Sequence, residues 1–191
     1  MSDRQPTRCF GTGDPLYESY HDEEWGRLVP DEPDEAPLFE RIVLEGFQAG
    51  LSWITVLRKR EAFRRAFEDF HPGVVAGYGE QDVARLLADP ALIRNERKIR
   101  AAINNAQALL RLHGHGMRLG ELLREYAPIP RASPPWSVTD IPSYTPGSKA
   151  LSLQLKKLGF RFVGPVTLYA TFQAVGLVND HLAGCPWRPD G

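Results

Sequence analysis

This chain of 191 residues has too few cysteines for a disulfide scaffold: only Cys9 and Cys185, near opposite ends. It has no apolar run near the roughly 18 residues that a membrane-spanning helix needs, so no membrane partner is expected. The opening stretch, MSDRQPTRCFGTGD, lacks an apolar signal region. A cytoplasmic protein is expected. Internal repeats, low-complexity tracts and the period-two alternation of half-buried strands are missing as well. A net charge of −1 offers nucleic acid no bulk attraction.

The distribution of that charge is uneven. Residues 1–50 carry 4 basic and 12 acidic side chains, and residues 51–191 carry 19 basic and 12 acidic. Basic clusters recur at Arg58, Lys59, Arg60, Arg64 and Arg65, at Arg94, Arg97, Lys98 and Arg100, and at Lys156, Lys157 and Arg161. Such polarity can present a positive face while the total stays near zero. The competing reading is ordinary solvated helix faces.

Hydrophobic residues make up 42% of the chain, enough for the core of one domain over residues 1–191. The pattern predicts an all-α fold. Asp14-Pro15 is a cap followed by proline at the first helical position, opening a short helix to about Glu24. Leu38, Phe39, Ile42, Val43 and Phe47 recur with helical period between Asp34 and about Ala49. Ser52 is read as the cap of a third helix through about Phe67, with Leu57, Phe63 and Phe67 inward. A short helix follows Gly79-Glu80-Gln81-Asp82 and ends near Asp89-Pro90. The longest helix is expected from Leu92 to about Leu112, with Ile99, Ile103, Ala106 and Leu110 inward, and a short amphipathic segment at 118–126. His113 and His115 read as a helix end and a loop. Six prolines in 128–146 predict an extended surface connection, packed down by Trp136. Ser148 caps a helix to Leu158, Gly159 ends it, and Gly164-Pro165 starts the last long helix, to about Gly176.

The segment between those two helices, LGFRFVGPVT at 158–167, has the wording of a helix–hairpin–helix. A tight turn ending in a helix N-terminus exposes backbone N–H groups that can hold a phosphate, with Gly164 permitting close approach. Lys156, Lys157 and Arg161 add charge beside it. A plain helical connection is the alternative. Phe162 stands where many such hairpins carry glycine.

Cys9 is followed by His21, and His181 by Cys185 in HLAGC. Two thiolates and two imidazoles form a complete tetrahedral ligand set for zinc, and such a closed site is structural. Buried thiols with surface imidazoles, or a Cys9–Cys185 disulfide, are the other readings of these residues. Two further segments stand out. DPLYESYHDEEWG gathers Tyr17, Tyr20 and Trp25, and LEGFQAGLSW sets Glu45 among Leu44, Phe47, Leu51 and Trp53. A carboxylate in such company is costly to bury without a task or a partner. Aromatic faces with one acid suit a purine flipped out of a duplex, and a cationic alkylated one in particular. The alternative places the aromatics in the core and Glu45 in solvent.

With these segments assembled, the chain resembles the bacterial 3-methyladenine DNA glycosylase I family over nearly its whole length. The specific pieces are DPLYESYHDEEWG, LEGFQAGLSWITVLRKRE, IRNERKIRAAINNA, LKKLGFRFVG and GLVNDHLAGC. The resemblance implies a helix–hairpin–helix DNA glycosylase-like helical domain with one structural zinc joining the terminal segments. Its ligands by match are Cys9, His21, His181 and Cys185. It implies base recognition by Glu45, Tyr20 and Trp53 in a pocket lined by Tyr17 and Trp25. Gly50 and Leu51 match the segment approaching the gap left by the flipped nucleotide. The chain departs from the family's pattern at Phe10, a common tryptophan, and in a Cys9-to-His21 interval about one residue short. Asn179 stands where related glycosylases carry a catalytic aspartate.

The implied partner is double-stranded alkylated DNA and the implied product free 3-methyladenine, released by a monomer. Hydrolysis of the N-glycosidic bond would leave an abasic site, and no lysine nucleophile for strand cleavage is evident. A non-catalytic DNA-binding module and a zinc hydrolase of small molecules are the readings from other classes. The second needs an open metal position.

Overall fold

The computed structural model describes residues 8–29 and 34–188. Residues 1–7 of the opening stretch read for an apolar signal region lie outside these residues. The described residues form ten α-helices and no strand. In chain order they are α1 (Pro15–Ser19), α2 (Ala36–Gln48), α3 (Trp53–Leu57), α4 (Arg60–Ala66), α5 (Pro72–Val75), α6 (Glu80–Ala88), α7 (Glu96–Gly114), α8 (Leu119–Glu125), α9 (Pro146–Lys157) and α10 (Pro165–Ala174). None of them is long and apolar enough to cross a membrane.

Helix α2 is the central rod and packs against α10, α7 and α3. The apolar period of its sequence predicts one inward face. Burial instead extends almost all round it, from Leu38 to Phe47, and takes Glu45 with it. A ladder of rings joins α2 to the following helices: Phe47 to Phe63 at 4.6 Å, Phe63 to Phe67 at 5.8 Å and Phe67 to Phe70 at 5.4 Å between centroids. Each buried ring contributes about 1.5–3 kcal/mol. The C-terminus of α2 is closed from outside. Lys98 of α7 donates through Nζ to the carbonyls of Phe47 at 2.8 Å and Ala49 at 2.7 Å. A cation at the negative end of a helix satisfies its last acceptors. The chain then turns through Gly50, whose φ of +85° suits glycine, and leaves Leu51 exposed.

The link between α9 and α10 is clamped by α7. Asn105 accepts from Arg161 N at 2.7 Å and donates to Arg161 O at 2.9 Å, while Asn104 donates to Gly159 O at 2.7 Å. Ser152 of α9 donates to Val163 O at 2.7 Å. With that many fixed points the turn holds Phe162 at φ +54°, which accounts for glycine's suitability at this position. The Cβ of Phe162 rests over Gly46 instead of facing a clash.

Several expectations need correction. The segment from Ser52 to Phe67 breaks at Arg58-Lys59 into α3 and α4, and the Ser52 hydroxyl bonds Thr55 and caps nothing. The longest helix starts at Glu96, because Asn95 accepts from Lys98 N and sets its cap there. Leu110 is exposed, and Leu109 and Leu112 face the core in its place. Thr145, not Ser148, caps α9; Ser148 is its partner in a reciprocal capping box, so Pro146 belongs to the helix. Trp136 does not pack the proline-rich connection down. It is exposed, and the connection is fastened by backbone and charged contacts instead.

The basic clusters also separate by fate. Arg58 pairs with Asp14, Arg60 with Glu24, Arg64 with Glu40 and Glu61, and Arg100 with Glu80 and Glu96. The acid-rich N-terminal segment thus answers much of the first cluster. Lys156, Lys157 and Arg161 are exposed and form no ion pair among the described residues.

Candidate functional site

Helix α1 opens where Asp14 accepts from Leu16 N and Tyr17 N. It then widens into a π turn over Tyr20–Glu24, closed by Trp25 N donating to Tyr20 O at 2.9 Å. The wider turn buries Tyr20 and His21 side by side, Tyr20 toward an aromatic chamber and His21 toward the C-terminal segment. Such turns recur at functional sites.

On the outer side, Cys9, His21, His181 and Cys185 converge with all four ligand atoms within 4.8 Å of one another. His181 Nδ1 lies 3.7 Å from Cys9 Sγ and 3.4 Å from Cys185 Sγ, and His21 Nε2 lies 3.6 Å from Cys185 Sγ. Ligand bonds of about 2.0–2.3 Å in a tetrahedron set donor atoms roughly 3.3–3.8 Å apart, so the group fits a metal ion. The rings are aimed from behind. His21 Nδ1 meets Asp22 at 2.7 Å, Asp22 is gripped by Arg8, and His181 Nε2 meets the Trp25 carbonyl at 3.3 Å. Gly26, at φ +78°, is needed there, since a Cβ would stand 2.9 Å from His181 Nε2. Burial pushes His181 down to about 4, so its imidazole is neutral and able to ligate. It pushes the Cys9 thiol up to about 12, beside a second thiol. A cation at the centre is what would let both ionise. The expected shortness of the Cys9-to-His21 interval does not separate these residues. Four protein ligands on one ion would leave it no open position for a substrate.

On the inner side lies a chamber of about 230 Å³. Tyr17, Tyr20, Trp25 and Trp53 line it together with Phe10 and Glu45. Tyr20 and Trp53 stand 5.4 Å apart between centroids, and Phe10 lies 4.9 Å from both Tyr17 and Trp25. Phe10, where tryptophan is common, therefore forms part of the wall. Glu45 is 5% exposed, and its Oε2 has no hydrogen-bond partner. Trp53 Nε1, also buried, has none either. A buried acceptor and a buried donor left open in one cavity are expensive for the fold and invite a ligand that meets both. Burial pushes the Glu45 carboxyl up to about 7, and Arg41 draws it back toward the anion. Burial also raises the Tyr20 phenol, which stays protonated.

Gly50 and Leu51 lie outside the chamber, on an adjoining cavity of about 230 Å³ that shares Glu45, Gln48 and Ala170 with it. That cavity continues to Val166 and Thr167 at the start of α10. Lys156 and Lys157 end α9, and Arg161 and Gly164 lie in the link that follows it.

Arg41, Asp180, Val138 and Ile141 escaped the sequence reading. Arg41 donates to Tyr20 OH at 3.1 Å and lies 5.4 Å and 5.5 Å from the Tyr20 and Trp53 ring centres. It sits one helical turn before Glu45, which was the available signal. Asp180, at the chamber wall, accepts from Tyr169 OH at 2.5 Å and Gln173 Nε2 at 2.9 Å, and its Oδ1 faces Arg131 Nε at 3.0 Å. Val138 and Ile141 of the proline-rich connection complete the chamber, and nothing in their spacing announces it. Asn179 Oδ1 accepts from His181 N at 3.3 Å.

The sequence profile of a family described as methyladenine glycosylase matches residues 10–188. DNA-3-methyladenine glycosylase 1 of Escherichia coli (strain K12) is 49% identical over 184 residues, 95% of this chain and 97% of that protein. DNA-3-methyladenine glycosylase of Haemophilus influenzae is 43% identical over 186 residues, covering 95% and 98%. A crystal structure of 3-methyladenine DNA glycosylase I superposes with a TM-score of 0.89 at 46% identity, covering 96% of this chain and all of that one. A variant of 3-methyladenine DNA glycosylase I solved in complex with 3-methyladenine superposes at 0.86, with 36% identity over 95% of this chain and 97% of that one.

Proposed function

The chain belongs to the methyladenine glycosylase family, and from that premise we propose that it excises 3-methyladenine from alkylated double-stranded DNA by hydrolysing the N-glycosidic bond. The observation that carries the reading is the pair of open buried groups, Glu45 Oε2 and Trp53 Nε1, inside an aromatic chamber. A flipped purine brings a flat face for Tyr20 and Trp53 and an exocyclic amine for Glu45. Methylation at N3 makes the base cationic, which suits the aromatic faces and a carboxylate. Tyr17 and Trp25 close the sides.

In the proposed reaction the bond from N9 to C1′ breaks with its electron pair going to the base, which departs neutral. The sugar passes toward an oxocarbenium ion. Water adds at C1′ and gives up a proton, leaving an abasic site. A cationic base needs little further activation, so flipping, binding and orienting it supply the acceleration. Asn179 in place of an acid fits that economy. No lysine is assigned as nucleophile, so strand cleavage is not expected.

The four-ligand group suits zinc on its sulfur and nitrogen donors, and one zinc per chain would brace the terminal segments and take no part in the chemistry. The α9–α10 link serves as a helix–hairpin–helix: Lys156, Lys157 and Arg161 meet phosphates, no side chain caps α10 at Gly164, and Leu51 fills the gap left by the flipped nucleotide. The chain works as one helical unit, a cytoplasmic monomer.

The test is base release from methylated duplex DNA, with chromatographic identification of the freed base. Release of 3-methyladenine with little 7-methylguanine, and strands left uncut, is the expected result. Zinc-replete protein that binds abasic duplex and frees no base would overturn the reading in favour of a binding module.

A further inference from the structure

Trp136 is the most exposed aromatic side chain among the described residues, at 79%. It stands on the connection between α8 and α9 with three other large apolar side chains in the open: Ile129 at 90%, Val138 at 62% and Tyr144 at 51%. A tryptophan in water is ordinarily a loose and costly ornament, but the backbone here is held. Pro134 and Pro135 precede it. The Asp140 carboxylate accepts from the N–H of Trp136 at 3.0 Å and of Ser137 at 2.9 Å. The Pro135 carbonyl accepts from Ala183 N at 2.8 Å, and Arg131 reaches the buried Asp180 at 3.0 Å. Both attachments run to the segment carrying His181 and Cys185. The ring is therefore presented from a fixed backbone, with much of its ordering cost met before any partner arrives.

The place matters as much as the rigidity. Val138, two residues on, lines the chamber that holds Glu45. The chamber and the adjoining cavity share Glu45, Gln48 and Ala170, so they form one trough running from Val138 to Leu51 and Val166. A nucleotide whose base fills the chamber keeps two phosphodiester links, so its strand leaves the mouth in two directions. The Leu51 end reaches Val166 and Thr167 at the start of α10, just after the α9–α10 link. The other end is the proline-rich connection.

We propose that this connection is the second lip of the DNA-binding trough and that Trp136 stacks on a base of the damaged strand beside the flipped nucleotide. The proposal rests on the base-excision reading above for the direction of the strand. An unstacked neighbour of a flipped base offers a free π-face, and stacking on an aromatic tolerates any sequence.

The full chain is assayed for affinity to a duplex bearing a central tetrahydrofuran abasic analogue, and separately to free 3-methyladenine. Trp136→Ala is expected to weaken duplex binding about 5- to 100-fold and to leave free-base affinity within about twofold. Trp136→Phe, which keeps a ring, should recover duplex affinity to within about threefold. Duplex binding unchanged by Trp136→Ala overturns the proposal, as does an equal loss of both affinities. Self-association of the native chain that Trp136→Ala abolishes, with duplex affinity intact, also overturns it and assigns the patch to a second copy. The native chain is scored for base release in parallel. Failure there counts against the excision reading, while abasic-duplex affinity still reads Trp136.

Discussion

Replacing Glu45 with glutamine should make the protein more stable at alkaline pH while it abolishes most base release. The carboxyl lies among aromatic rings with one oxygen unbonded, and its value moves from the ordinary 4.5 to about 7. That raised value means the folded state holds a proton that the unfolded chain has already released. The contribution of Glu45 to stability is therefore fullest below about 4.5 and is lost as pH rises toward about 7. Each tenfold step is about 1.4 kcal/mol, so the ionised carboxylate costs the fold roughly 3 kcal/mol at pH 8. Glutamine keeps the shape and escapes the charge. Other groups titrate alike in both proteins, so the difference between them isolates Glu45. Urea unfolding of each, from pH 4 to pH 8.5, should show near equality at the acid end and an advantage to Glu45→Gln of about 3 kcal/mol at the other. A difference that stays flat within about 0.5 kcal/mol would refute the burial argument. Undiminished base release would remove Glu45 from the site.

Arg41→Met removes the cation that draws Glu45 toward its anion, so the carboxyl should rise further; because the proposed role of Glu45 needs the carboxylate, the pH at which base release rises should move up. A pH–rate profile superposable on the native one would exclude that coupling. Lys98→Met leaves the Phe47 and Ala49 carbonyls without their donor, and hydrogen bonds to charged groups are worth about 1.5–3 kcal/mol each. A loss of about 2–4 kcal/mol in urea unfolding is expected, and a change below about 0.5 kcal/mol would show that water replaces the ammonium freely. Cys185→Ser should lower zinc from about one equivalent to well below it, by elemental analysis, and lower the unfolding temperature. A variant that still holds a full equivalent would refute the ligand set.

The helices were legible where apolar period and punctuation agreed, as at Asp14-Pro15, Gly79 to Asp82 and Gly159. They were misread where tertiary contacts decide. Nothing local marks Arg58-Lys59 as a break, since the chain must turn there for Phe63 and Phe67 to join the ladder begun by Phe47. Leu109 and Leu110 lie three and four residues after buried Ala106, so the period admits either, and the packing of neighbouring helices decides that Leu109 is inward. The metal-capable group was legible as residue types but not as geometry, because its halves are separated by the whole chain. Glu45 was visible as an acid in apolar company. Asp180 carries no signal of its own in the sequence, because the partners that reveal it, Arg131, Tyr169 and Gln173, come from other segments. The prolines of 128–146 announced an extended path but not that Val138 and Ile141 would finish the chamber.

The two halves of the site depend on each other through α1. This short helix buries none of its own residues, and its extension into the π turn buries only Tyr20 and His21. Yet Phe10, Tyr17, Tyr20 and Trp25, most of the chamber's aromatic wall, all come from this segment. Five residues of α-helix cannot hold themselves in water. What holds them is outside: Arg58 on Asp14, Arg60 on Glu24, and the convergence of Cys9 and His21 with His181 and Cys185. The ion pairs are partly exposed and each contributes little. A metal ion bound by all four ligands is the strongest single tie available to the segment. Its effect on base binding would then be indirect, through wall residues that keep their chemistry and lose their place. Metal loss should accordingly weaken affinity for the free base while Glu45 and Trp53, seated on α2 and α3, remain where the core fixes them.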